Sequence, residues 1–363
     1  MKAGVRLIAF YLPQYHPIPE NDRWWGAGFT EWRNVVKARP NFAQHYQPRL
    51  PGELGFYDLR VPETRAQQAD LAAAHGIGAF CYYYYWFSGT RLLRRPLDEV
   101  ASSGAPDFPF CICWANENWT RRWDGRDDEV LIGQGYREDD AARFIADVLS
   151  LLADRRYVRV RDRPLLLVYC ANAIPDAPRW TRIWRDASKA AGHPDLFLAS
   201  VQSVHAQPGD PRALGFDAAV EFPPHWTRSN VVTEAIAGVR AGFHGEILDY
   251  VSCAKEMLAR PEAAYPLFRG IMPGWDNTPR GQDRSHVFVN AEPANYGRWL
   301  SALVEQARAS RESERLIFVN AWNEWGEGCY LEPDARYGRA FLEATARSLR
   351  VRDDFPQNRE SRL

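Results

Sequence analysis

Residues 316–328 read LIFVNAWNEWGEG. An apolar run long enough for a buried strand passes without a break into two carboxylates, Glu324 and Glu327, framed by tryptophans and glycines. Acids at the mouth of a buried strand are costly unless they are paired, solvated or used. The same order, an apolar run followed by a polar and aromatic exit, recurs along the chain. Eight strand-length runs cover residues 6–12, 77–83, 108–114, 164–169, 196–201, 216–222, 266–272 and 316–322. Most of them are separated by helix-like segments. VPETRAQQADLAAAHG opens with Pro62 near a helix start and closes at Gly76, the usual punctuation. DDAARFIADVLSLLAD places Phe144, Val148, Leu151 and Leu152 on one helical face. The link between the fifth and sixth runs carries a poor helix signal.

Strands alternating with helices imply parallel pairing, and eight units predict an α/β fold of one domain, a (β/α)8 TIM barrel with long βα loops. The exits YLPQYHP, YYYYWFSG, CWANENW, QSVH, EFPPHW, MPGWDNTPR and WNEWGEG all follow C-terminal strand ends, where barrel enzymes gather their active sites. An open sheet would concentrate such residues at one switch point instead. The catalytic domain is expected over residues 1–350, with a polar tail over residues 351–363.

The 45 basic and 46 acidic residues nearly cancel, so no electrostatic footprint points to nucleic acid or an anionic membrane. No run approaches the roughly 20 apolar residues of a membrane span. The N-terminal apolar run lacks a small-residue cleavage site, and the six cysteines are scattered through apolar runs as buried free thiols would be. Together these predict a cytoplasmic protein. HExxH, CxxC, P-loop, GxGxxG and GxSxG motifs are absent, as is Asp-x-Asp, so neither a metal nor a cofactor is expected.

Aromatic residues are abundant, with 14 Trp, 16 Tyr and 18 Phe, and many stand beside polar groups rather than at core spacing. Flat rings next to amides and acids suit a cleft for an oligosaccharide or polysaccharide. Trp114, Trp119, Trp275 and at least one of Tyr82 to Tyr85 are expected as sugar platforms. The wider set of expected substrate contacts comprises Tyr11, Tyr15, His16, Glu31, Trp32, Tyr83, Tyr85, Asn116, Glu117, His225, Asp276, Trp322, Asn323 and Trp325. Glu324 and Glu327 are spaced so that a turn, eased by Gly326 and Gly328, aims both into one cavity. Two carboxylates in one cavity push each other's pKa apart, which equips a site to break a glycosidic bond. For every one of these acids the competing explanation is an ion pair with an arginine, and a lone histidine at a strand exit is commonly structural.

FYLPQYHP, FTEW, QPRLPGELGFYDLR, WANENW and NAWNEWGEG, taken in order, resemble the WbsX-type proteins of bacterial surface-polysaccharide gene clusters and the related family-99-like glycoside hydrolases. The resemblance runs from about Leu7 to about Tyr337. It implies a (β/α)8 barrel that cleaves α-mannosidic bonds within chains, with retention and without a metal. The family-99 motif Glu-Trp-His-Glu-Gly corresponds to Glu324, Trp325, Gly326, Glu327 and Gly328, with glycine standing where that family has histidine. By this resemblance Glu324 deprotonates the substrate's 2-hydroxyl, which attacks the anomeric carbon to give a 1,2-anhydro sugar, and Glu327 serves as acid and then base. A retaining glycoside hydrolase or transglycosylase is therefore expected. The alternatives are a glycosyltransferase of surface-polysaccharide (O-antigen, lipopolysaccharide) assembly and a glycan-binding barrel without turnover.

Overall fold

The computed structural model describes residues 4–121, 126–203, 209–224, 231–310 and 314–350, with backbone alone for residues 126–128. Eight parallel strands form the barrel: β1 (Arg6–Tyr11), β2 (Ile77–Phe87), β3 (Phe110–Trp114), β4 (Arg163–Val168), β5 (Phe197–Gln202), β6 (Ala218–Glu221), β7 (Leu267–Ile271) and β8 (Leu316–Val319). Each strand pairs with its neighbours in sequence order, and β1 pairs with both β2 and β8. Leu7 lies opposite Ile77 on one side and Ile317 on the other, which closes the sheet. The strands are almost wholly buried, as expected where helices cover one face and a packed interior the other.

Among the described residues, seven helices of nine residues or more wrap the sheet: α1 (Pro62–Ala74), α2 (Arg95–Ser103), α3 (Asp140–Leu152), α4 (Ala177–Ala190), α5 (Tyr250–Ala259), α6 (Pro293–Ala309) and α7 (Ala340–Arg350). α1 begins at Pro62, whose missing N–H is no loss in a first turn. α3 buries the expected face of Phe144, Val148, Leu151 and Leu152. Between β5 and β6 the described residues hold only a 3-10 turn, Pro211–Leu214, in keeping with the poor helix signal there. The polar tail, residues 351–363, lies outside the described residues. No described helix is long and apolar enough to cross a membrane, and the six cysteines are buried and unbridged.

Alternation along β2 divides its aromatics between two environments. Tyr84 and Trp86 point outward and meet Phe144 of α3 edge-on, with ring centroids 6.0 and 5.5 Å apart. Tyr83 points inward, stacked 5.6 Å from Phe10 and edge-on to Tyr169. Phe10 also meets Phe222 and Phe318. These rings plug the barrel and form a floor beneath the C-terminal loops.

Candidate active site

The turn that follows β8 is a small antiparallel ribbon, Asn323–Glu324 against Cys329–Tyr330, closed by the 3-10 turn Trp325–Glu327. Gly328 sits at φ +57°, and a Cβ there would come within 2.9 Å of the Asp276 side chain, so the close of this turn requires glycine. Asn323 fixes the turn to β1: its Oδ1 accepts from the Leu12 N–H at 2.7 Å while its Nδ2 donates to the Leu12 carbonyl at 3.0 Å. The Trp325 N–H donates to the Tyr15 hydroxyl, and the Trp325 indole donates to Glu332 at 2.7 Å. With its frame fixed in this way, the ribbon presents Glu324 and Glu327 to a single cation.

That cation is Arg280. It projects from the single helical turn Thr278–Gly281 after β7. Its Nη2 donates to Glu324 Oε1 at 2.7 Å and its Nη1 to Glu327 Oε1 at 2.6 Å. The other edge of the guanidinium grips Glu31, from the loop after β1, through Nε–Oε1 at 2.5 Å and Nη2–Oε2 at 2.9 Å. Gln14 also donates to Glu31. Glu31 is fully buried, whereas the Glu324 and Glu327 side chains keep 8% and 18% exposure, so the two turn acids are the more accessible ones.

Three carboxylates on one guanidinium leave excess negative charge in a shielded place. Burial raises the Glu324 pKa, Arg280 opposes this, and Glu327 and Glu31 add to it; the outcome lies well above the ordinary carboxylate range. Burial lowers the proton affinity of Arg280, but the three acids more than offset this and hold its pKa above its usual value. Burial, followed by the charge of Glu324, pushes the Tyr85 phenol upward, and burial, followed by Glu31 and Glu324, does the same to Tyr15. Both phenols therefore remain neutral hydrogen-bonding groups beside the acids. Tyr85 meets Trp119 edge-on at 4.9 Å, and that tryptophan is buried in a satellite cluster with Ile18, Phe87, Leu92 and Leu93.

Glu31, Glu324, Glu327, Tyr15, Tyr83 and Tyr85 thus lie together, with Trp119 against Tyr85, and other expected contacts lie elsewhere. Trp114 points outward and stacks between Phe144 of α3 and Trp180 of α4, so it is core packing and not a sugar platform. Tyr11 turns to α1, donating to Gln68, and Trp322 is buried against Phe80. Asn116 clamps Cys170 through its N–H and carbonyl, as Asn323 clamps Leu12. Trp32 donates to the Tyr57 carbonyl and packs on Tyr15 and Trp325, and Trp325 in turn stacks on Tyr330.

Asp276 is fully buried and accepts from His45, Gln47 and Thr278, with Arg49 at 3.5 Å. Although burial alone would raise it, these partners hold it well below the usual carboxylate range. It anchors the loop that carries Arg280, and its N–H donates to the Glu327 carbonyl at 2.6 Å. His16 is buried, its pKa lowered by burial to about 4, and its charged neighbours are Asp58, Arg60 and Arg95 rather than the acid cluster. Trp275 is buried next to Asp276, and Glu117 is half-buried beyond β3. His225 lies outside the described residues.

Arg280, Gln14 and Glu332 were not among the expected residues. Glu332 accepts from Tyr57, Gln68 and Trp325 behind the turn, and burial pushes it up to about 7. Arg280 closes the motif MPGWDNTPR, and its place at a strand exit was the available signal.

A family model described as Glycosyltransferase WbsX matches residues 7–345. Protein WxcX of Xanthomonas campestris pv. campestris is 48% identical over 344 residues, covering 94% of this chain and 49% of the relative. The chain thus spans about half the length of the curated relatives it matches. Among solved structures, a glycoside hydrolase-like protein is similar with a TM-score of 0.61 at 14% identity, covering 97% of this chain and 96% of that one. The GH99 endo-α-mannosidase from Bacteroides thetaiotaomicron is similar with a TM-score of 0.57 at 16% identity, covering 95% and 96%. At these identities the likeness is one of fold.

Proposed function

The chain belongs to the WbsX family, and from that premise and the geometry of its acids we propose a retaining glycoside hydrolase or transglycosylase acting on α-mannoside-like bonds of a polysaccharide or lipid-linked glycan. The observation that carries this reading is the pair Glu324 and Glu327, held on adjacent nitrogens of one guanidinium at the C-terminal mouth of the barrel. Tyr85 supplies a ring beside the acids, and the buried thiols suit a cytoplasmic setting.

In the proposed reaction Glu324 takes the proton of the sugar's 2-hydroxyl while O2 attacks C1. The bond from C1 to the leaving oxygen breaks, and that oxygen takes a proton from Glu327. The products of this step are a 1,2-anhydro sugar and a free alcohol. Water, deprotonated by Glu327, then opens the anhydro ring at C1, and Glu324 returns its proton to O2. Two inversions give net retention. A carboxylate whose proton affinity is raised above the ordinary range is the stronger base for a weakly acidic hydroxyl, which fits Glu324. The group that exchanges protons with leaving alcohol and water needs more access, which fits the greater exposure of Glu327.

The family's description favours a second reading, transfer of a sugar during polysaccharide assembly. Thermal-shift titration with nucleotide sugars and with α-mannan fragments separates the two. Stabilisation by mannan fragments alone is the expected result, and stabilisation by a nucleotide sugar alone overturns the hydrolase reading.

A further inference from the structure

Position 326, between the two acids of the turn, has no room for a side chain. A Cβ built there would lie 2.1 Å from Glu31 Oε1 and 2.4 Å from its carboxyl carbon. Glu31 therefore occupies the volume that any larger residue at 326 would need. It is fully buried and turned toward Arg280. Its two oxygens engage Nε and Nη2, the bidentate fork that fixes the plane of a guanidinium. With that plane fixed, Nη1 and Nη2 face Glu327 and Glu324.

Resting on the roles given above for those two acids, we propose that Glu31 is a positioning residue: it replaces a side chain at position 326 and clamps Arg280 across Glu324 and Glu327. One cation then orients both reacting carboxylates, and a third carboxylate orients the cation. The groups that face Glu324 are Arg280 from the loop after β7, Glu31 from the loop after β1, Glu327 and Cys329 from its own turn, and the phenols of Tyr15, Tyr83 and Tyr85. Among these charges, removing Glu31 takes away one negative charge and leaves Arg280 shared by two acids instead of three. Both changes lower the proton affinity of Glu324.

The test is a 13C NMR titration of the glutamate carboxyls in the glycan-free protein, with Glu324→Gln used for assignment. In Glu31→Gln the Glu324 titration is expected to move to lower pH; an unchanged midpoint overturns the proposal. This readout needs no turnover, so it stands or falls separately from the hydrolase reading. A double-mutant cycle tests the exclusion of volume. Gly326→Ala is expected to lower the melting temperature by about 1–4 °C in the wild-type chain, from overpacking, and to have little effect in Glu31→Ala. Equal losses in the two backgrounds would show that Glu31 does not occupy the space. Where turnover is measurable, Glu31→Gln should reduce kcat with KM nearly unchanged, and a selective rise in KM would make Glu31 a substrate contact instead.

Discussion

Replacing Arg280 by methionine keeps most of the aliphatic stem but removes the charge that three carboxylates share. Four hydrogen bonds of 2.5–2.9 Å disappear, and Glu31, fully buried, loses both of its guanidinium contacts. Removing one partner of a buried ionic cluster typically costs about 3–5 kcal/mol, because the remaining charges are left in a poorly solvating place. Over 363 residues an unfolding entropy of about 2.1 cal/mol/K each gives roughly 0.76 kcal/mol/K, so the melting temperature should fall by about 4–7 °C. The penalty should also depend on pH. Glu324 already has a folded pKa above its unfolded one, so its contribution to stability declines as pH rises from the ordinary carboxylate value through the raised one. Without Arg280 that window widens, since the cation opposed the shift. Differential scanning calorimetry at pH 5 and pH 8 in low salt should show a larger loss at pH 8. A drop below about 1 °C, or the same drop at both pH values, would refute the charge accounting.

Activity should survive EDTA, because a guanidinium already supplies the positive charge among the three acids; loss in EDTA with recovery in manganese would favour the transferase reading. Trp114→Ala should lower stability by about 3–5 kcal/mol through lost core packing and leave KM unchanged, whereas Trp119→Ala, which opens the cluster of Ile18, Phe87, Leu92 and Leu93 beside Tyr85, should lower stability and also raise KM about 2- to 12-fold. Calorimetry and steady-state kinetics on the two variants check that contrast. Asp276→Asn should cost about 3–5 kcal/mol at neutral pH. Because the folded pKa of Asp276 is depressed, the difference from wild type should shrink as pH falls below the ordinary carboxylate range, as followed by pH-dependent melting.

Each of the eight strands overlaps one of the apolar runs that the sequence displays, for a physical reason. Parallel barrel strands are buried on both faces, so they stand out as continuous hydrophobic stretches. β2 runs four residues past its expected end to Phe87, where it is prolonged by antiparallel pairing with Thr90–Leu92. Side-chain direction was less legible. In YYYYWF the composition is uniform, and only register decides that Tyr83 and Tyr85 face the site while Tyr84 and Trp86 face α3. Trp114 fell on the helix side for the same reason. Asn116 and Asn323 have the chemistry of sugar ligands, but both spend it on backbone clamps that no local pattern announces. Arg280 was the least visible of all: its pairing with Glu31 spans 249 positions, so only the closed barrel brings the two together.

The most direct test of the proposed chemistry is the anomeric configuration of the product first formed from α-mannan fragments by the wild-type protein, followed by proton NMR before mutarotation. Two successive inversions at C1 through a 1,2-anhydro sugar require the α anomer first. First appearance of the β anomer would contradict the mechanism assigned to Glu324 and Glu327.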